Sequence, residues 1–154
     1  MSTRRLRARV PSAKRIATGT LTLHQLRFHK KSVDGSAKCD AQRSENLSHF
    51  ILGVLYKIHP DEKADLDKAE GLGSGYEIMD VLIRLDDGSS VRAFTYYATR
   101  IDATLKPYDW YREHVLVGAR ENLFPEDYVK ILEAFEFIED PDPDRRRREL
   151  SIYK

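Results

Sequence analysis

A chain of 154 residues is long enough for one domain with a sizeable core. Its 26 basic and 25 acidic residues leave a formal net charge of +1, which excludes a strong global pull toward nucleic acid or a membrane surface. A lone cysteine, Cys39, excludes an internal disulfide and points to a reducing, cytoplasmic setting; no apolar stretch approaches the roughly 20 residues that span a bilayer, and the basic N-terminus lacks the apolar core of a signal peptide.

Ser2 or Thr3 can cap a short basic helix over residues 4–10, ended by Pro11. Alternation of Thr18, Thr20 and Thr22 with Leu21 and Leu23 predicts one strand over 16–28. Residues 30–35 read as a charged turn region and 37–42 as a short strand. The mostly apolar run 50–58 predicts a central strand, in which Gly53 suggests a bulge or a close backbone approach. Pro60 and Asp61 open a helix that ends at Glu70, with Gly71 just past its end. Segments 77–85 and 90–98 flank Asp86-Asp87-Gly88-Ser89, a strong hairpin signal. Pro107 begins a helix that reaches about Val117 and that Gly118 breaks. Pro125 begins another over 126–137, with Tyr128, Ile131, Leu132 and Phe135 at helical spacing. Residues 141–154, with Arg145 to Arg148, read as a charged, solvated tail. A run of strands with one short helix inserted, followed by two helices, predicts an α+β domain over residues 1–140. Its sheet is mainly antiparallel and of a kind that can close into a small barrel.

Glu70 is the residue that stands out chemically. It occupies the negative end of a helix dipole, which disfavours its charged form by roughly 0.3–1 kcal/mol, where helix design would prefer Lys or Arg. The glycines after it, Gly71, Gly73 and Gly75, let a ligand approach the backbone. A carboxylate in such a setting suits proton transfer; the bland alternative is a flexible turn between helix and strand. Tyr96, Tyr97, Tyr108, Trp110 and Tyr111 form an aromatic concentration that reads either as packing or as a pocket for a small zwitterion. The five histidines are scattered without metal-ligand spacing, and no Walker loop, dinucleotide fingerprint or nucleophile elbow occurs. Arg4, Arg5, Arg7 and Arg9 read as a solvated face or, more sharply, as a phosphate-binding arm. Cys39 reads as a small core residue or as a reactive thiol.

Five pieces in order, Gly53-Val-Leu-Tyr-Lys-Ile58, Leu66-Asp-Lys-Ala-Glu70-Gly71, Gly75-Tyr76-Glu77, Ala93-Phe-Thr-Tyr-Tyr97 and Tyr111 through Gly118-Ala119-Arg-Glu121-Asn to Pro125 and Tyr128, resemble the gamma-glutamylcyclotransferase family. The resemblance runs over nearly the whole chain from about residue 4. It implies a small β-barrel with flanking helices. It also implies a cofactor-free, metal-free enzyme that cyclises a γ-glutamyl amide to 5-oxoproline and releases an amine or amino acid. It maps the catalytic acid/base onto Glu70 and substrate-binding positions onto Gly75, Tyr76, Tyr96 and Tyr111. The partner it implies is a small γ-glutamyl molecule rather than nucleic acid or membrane. Family members begin with an apolar strand ending in Tyr-Gly-Ser-Asn, whose backbone holds the substrate. This sequence lacks that element and begins with residues like those that follow it. A late start, a truncation and a loss of the loop all fit. Loss would favour a non-catalytic binding or interaction protein and would expose a sheet edge that invites a homodimer.

Overall fold

The computed structural model describes residues 2–154 and arranges them as two antiparallel sheets and five helices. Ser2 caps α1 (Thr3–Arg7), its hydroxyl accepting the Arg5 N–H at 3.3 Å. Two strands follow, β1 (Lys14–Thr22) and β2 (His24–Lys31), where alternation predicts one. Leu23 divides them at φ 57°. Its N–H donates to the His49 carbonyl and its own carbonyl accepts the Ser44 N–H, which holds a left-handed turn that leucine rarely adopts. The break is invisible to periodicity, because Leu23 continues the alternation of Leu21.

β3 (Ala37–Arg43) pairs with β2 as a two-stranded sheet. β4 (Phe50–Lys57) lies at the edge of a four-stranded sheet ordered β4-β1-β5-β6, not at its centre. Its apolar run is covered by packing instead of a second neighbour: Leu52 meets the helices and Tyr56 meets the N-terminal segment. Gly53 makes no bulge; it pairs in register with Gly19. The close approach belongs to Gly19, where a Cβ would stand 2.4 Å from Ile83 Cγ2 as β1 crosses the end of β5.

A 3₁₀ turn, Pro60–Glu62, leads into α2 (Lys63–Glu70). Gly71 ends α2 in the left-handed conformation, φ 78° and ψ 44°, and both Gly71 and Leu72 N–H groups donate to the Asp67 carbonyl. β5 (Tyr76–Arg84) and β6 (Ser90–Ala98) form the expected hairpin, closed by Leu85 N–H to the Ser89 carbonyl. α3 (Asp109–Glu121) runs through Gly118, which is buried. The stop comes four residues later, where the Asn122 side chain turns back to donate to the Gly118 carbonyl. α4 (Glu126–Glu133) is shorter than its apolar spacing suggests.

Residues read as a solvated tail instead form α5 (Pro143–Leu150), capped by Asp142, whose carboxylate accepts the Asp144 and Arg145 N–H groups. Arg145 pairs with Asp140, Arg146 with Asp109, and Glu149 with Arg5, so the helix is pinned to α1 and α3 by charge rather than by apolar burial.

The sheets do not close into a barrel. Side chains occupy main-chain groups that a closing ladder would have used. The Ala98 N–H of β6 donates to Asp40 Oδ1 on β3 (2.7 Å), the Cys39 N–H to the Tyr111 hydroxyl (3.2 Å), and the Leu52 N–H to the Tyr128 hydroxyl (3.1 Å). One core cluster, Leu116, Ala119, Tyr128, Val129 and Leu132, seats α3 and α4 against Leu26 and Leu52. A second, Leu6, Val10, Ala13 and Leu66, seats α2 against the N-terminal segment and fixes where its C-terminal end lies. Each buried Leu or Val side chain in them contributes about 1.5–3 kcal/mol. No helix among the described residues is long and apolar enough to cross a membrane.

Candidate active site

Leu66 in the second core cluster brings the last turn of α2 beside the segment after α1. There Arg9 Nη1 donates to Glu70 Oε1 at 2.8 Å, with 16% of the Glu70 side chain exposed. The carboxylate is thus not left to face the helix dipole alone, as sequence position implies; a cation from another element offsets it. The opposite oxygen, Oε2, has no hydrogen-bond partner among the described residues.

Glu70 lies within electrostatic reach of Lys30, Tyr76, Tyr96 and Tyr111. Three of the four predicted substrate positions thus feel its charge, and Gly75 adjoins Lys30. The tyrosines are not free, however. Tyr76 donates to the Cys39 carbonyl while Tyr111 accepts the Cys39 N–H, so two hydroxyls clasp the main chain of one residue. Tyr96 donates to Asp67 Oδ1 at 2.6 Å. Burial raises the pKa of all three; for Tyr96 the Asp67 hydrogen bond adds to it, and for Tyr76 and Tyr111 the neighbouring Cys39. All three stay protonated at ordinary pH and serve as hydrogen-bonding groups, not as bases. Asp67 is removed from proton transfer in the opposite way. Burial pushes its carboxyl up, but hydrogen bonds from Lys63 and Tyr96 outweigh that and hold it below the usual range. Asp67 Oδ2, like Glu70 Oε2, has no hydrogen-bond partner among the described residues, but a carboxyl held low is a weak base, which leaves Glu70 as the candidate.

Sequence reasoning missed Arg9, Asp67 and Lys30 as members of this cluster. Lys30 is read as the start of a charged turn, yet it is buried at 9% exposure on β2. Its ammonium stands 4.7 Å over the Tyr76 ring. A signal was available: the Asp34-Gly35 turn sets the register of the β2–β3 hairpin and puts Lys30 directly opposite Lys38. Two facing lysines call for partners on both sides.

Cys39 is unsuited to nucleophilic chemistry, because burial pushes its thiol up to about 12. Among the described residues no group of three or more His, Cys, Asp or Glu side chains could hold a metal ion.

Residues 50–132 match the AIG2-like family, a stretch that contains Glu70, Gly75, Tyr76, Tyr96 and Tyr111. The chain is 29% identical over 93 residues to a bovine gamma-glutamylcyclotransferase, an alignment covering 60% of this chain and 49% of the bovine protein. It spans about half the length of the curated relatives it matches. A solved gamma-glutamyl cyclotransferase superposes with a TM-score of 0.85 at 23% identity, covering 96% of this chain and 92% of that one. An uncharacterized human protein superposes with a TM-score of 0.86 at 24% identity, covering 99% and 92%. The chain thus has the gamma-glutamyl cyclotransferase fold and belongs to the AIG2-like family.

Proposed function

We propose that this protein cyclises a γ-glutamyl amide to 5-oxoproline and releases the amine, with Glu70 as general base and then general acid. The observation that carries the reading is the unpartnered Oε2 of Glu70, in a half-buried carboxylate whose charge acts on Tyr76, Tyr96 and Tyr111. The likeness to a bovine gamma-glutamylcyclotransferase supports it.

The chemistry needs three proton transfers. Glu70 takes a proton from the substrate's α-ammonium, and the neutral amine attacks the γ-carbonyl carbon to form the ring C–N bond. The new ring nitrogen then sheds its second proton to solvent. Collapse of the tetrahedral oxyanion breaks the original γ C–N bond as Glu70 gives its proton to the leaving nitrogen, and the released amine takes up the solvent proton. Nucleophile and electrophile belong to one molecule, so holding the chain folded supplies much of the acceleration.

A second reading, a non-catalytic binding protein on the same fold, is favoured by one observation: Arg9 already holds Oε1 and the three tyrosine hydroxyls already have partners. Incubation with γ-glutamyl-alanine or γ-glutamyl-ε-lysine, followed by assay of 5-oxoproline, separates the two. Product from the wild type and none above background from Glu70→Gln is expected; equal traces from both would leave the binding reading standing.

A further inference from the structure

Lys30 is a buried cation without a counter-ion. Among the described residues its ammonium makes no hydrogen bond and no ion pair; its contacts are the face of Tyr76 and the backbone of Gly75. A β-bulge between Phe28 and Lys30 shifts the register of β2 against β3 and leaves Phe28, His29 and Lys30 buried in succession. Gly75 is shaped around it. At φ 137°, a Cβ on Gly75 would lie 2.9 Å from Lys30 Cε and 3.3 Å from Nζ. The glycine that looks in sequence like an opening for a ligand is therefore an opening for a lysine.

An uncompensated buried ammonium is expensive in stability, and such a group persists where a ligand completes it. Asp34 and Glu70 act on Lys30 at a distance and Arg100 opposes them. Asp34 is bonded to Lys38 and Glu70 to Arg9, so neither is left to neutralise Lys30. Lys30 and Arg100 therefore remain unpaired among the described residues, and of the two Lys30 is the buried one. Substrate stereochemistry says what it would hold. In a γ-glutamyl group the α-amine and the α-carboxylate are attached to the same carbon. A cation that binds the carboxylate must be the neighbour of the acid that takes the amine's proton. Arg9 neighbours Glu70 but its charge is paired with it, although N–H donors remain; Lys30 is the neighbour whose charge is unpaired.

We propose that Lys30 anchors the α-carboxylate of the γ-glutamyl substrate, with Tyr76 and Gly75 fixing the position of its ammonium. This rests on the cyclisation reading above and adds a specificity determinant to it: the enzyme requires a free α-carboxylate.

The test compares wild type, Lys30→Met and Lys30→Arg on γ-glutamyl-alanine and on its α-carboxamide counterpart. Met keeps the volume of the stem and removes an unpaired charge, so its melting temperature is expected to be unchanged or raised. KM for the carboxylate substrate should rise about 30-fold or more, as for loss of one partner of a buried charge pair. A change in kcat of no more than about three-fold is expected, because the contact is made before and during the reaction alike. Lys30→Arg should recover much of the loss. Wild type should prefer carboxylate to carboxamide and Lys30→Met should not. A Met variant that keeps that preference and the wild-type KM overturns the assignment while leaving cyclisation intact. If wild type yields no 5-oxoproline, the cyclisation reading fails by itself. Calorimetric titration with L-5-oxoproline and its carboxamide then judges Lys30 alone: carboxylate-selective binding lost in Lys30→Met upholds the anchor, and equal binding or none by wild type overturns it.

Discussion

Lys30 and Lys38 face each other across the β2–β3 ladder, and their surroundings differ in kind. Lys38 is enclosed: Asp34 Oδ2 lies 2.7 Å away, Ser36 accepts a further hydrogen bond, and the rings of Trp110 and Tyr111 stand 4.7 and 4.8 Å from its nitrogen. Lys30 has one ring and a glycine, with no acceptor. Both are pushed below the ordinary lysine value by burial. For Lys38 the Asp34 hydrogen bond works against that shift, and for Lys30 only unbonded charges do. The same residue type at the same rung of one hairpin thus holds the fold together on one side and leaves a charge available on the other. Full satisfaction marks structure, and a deliberate deficit marks a site.

The contrast can be broken most severely at Glu70. If the site side is functional, Glu70→Gln should lower kcat for 5-oxoproline release by about 10²- to 10⁴-fold with little change in melting temperature. A carboxylate serving only as a partner for Arg9 would show the reverse. Next in size is Lys38→Met, which leaves Asp34 without its cation and should cost about 1–3 kcal/mol, a fall in Tm of about 3–10 °C, with KM unchanged. Set beside Lys30→Met, it should give a crossed pattern, stability lost in one and substrate affinity in the other. Gly75→Ala should sit between them. A positive φ and the contact with Lys30 predict a loss of about 1–2 kcal/mol together with a several-fold rise in KM, read by melting and steady-state kinetics.

The smallest effect concerns α5, which charge alone pins. Arg145 holds the Asp140 carboxyl well below the usual range, aided by hydrogen bonds from Asp142 N–H and from Trp110. The His114 and Arg5 hydrogen bonds bring Glu149 down to about 2 against the opposing effect of burial. For carboxyls depressed in the folded state, the stabilisation is present above the unfolded value near 4 and disappears as pH falls through the folded value. Burial holds His114 below its ordinary value, so protonating it on acidification works in the same direction. Fluorescence of Trp110, the sole tryptophan, should therefore report release of α5 between about pH 4 and pH 2, ahead of loss of the sheet signal in circular dichroism.

Much of the architecture is legible from local chemistry. Asp86 to Ser89 forces a hairpin, Gly71 ends α2, and Pro107 and Pro125 precede helices in the sequence as in the structure. Three of the misreadings share a cause: long-range contacts overrule local signals. Leu23 turns because His49 and Ser44 hold it, α3 passes Gly118 because the helix is packed there, and the barrel stays open because Asp40, Tyr111 and Tyr128 take main-chain groups near the seam. α5 was legible in principle, since Asp142-Pro143 is an N-cap followed by a favoured first residue; its run of arginines hid it. For the site, Glu70 could be found from the mismatch between its charge and its place in a helix. Lys30 could not be found by alternation, because a bulge in β2 undoes the alternation where it matters.

The Tyr76–Tyr111 clasp grips the Cys39 main chain, and a hydrogen bond from Tyr111 to the thiol only partly offsets the effect of burial on it. With its thiol up at about 12, Cys39 holds almost no thiolate in the folded protein, and alkylating reagents attack only the thiolate. The one cysteine is therefore a chemical clock for the site. Its labelling is slow while both tyrosines keep their grip, accelerates when β3 lifts away from α3 and β5, and times that opening without any engineered probe.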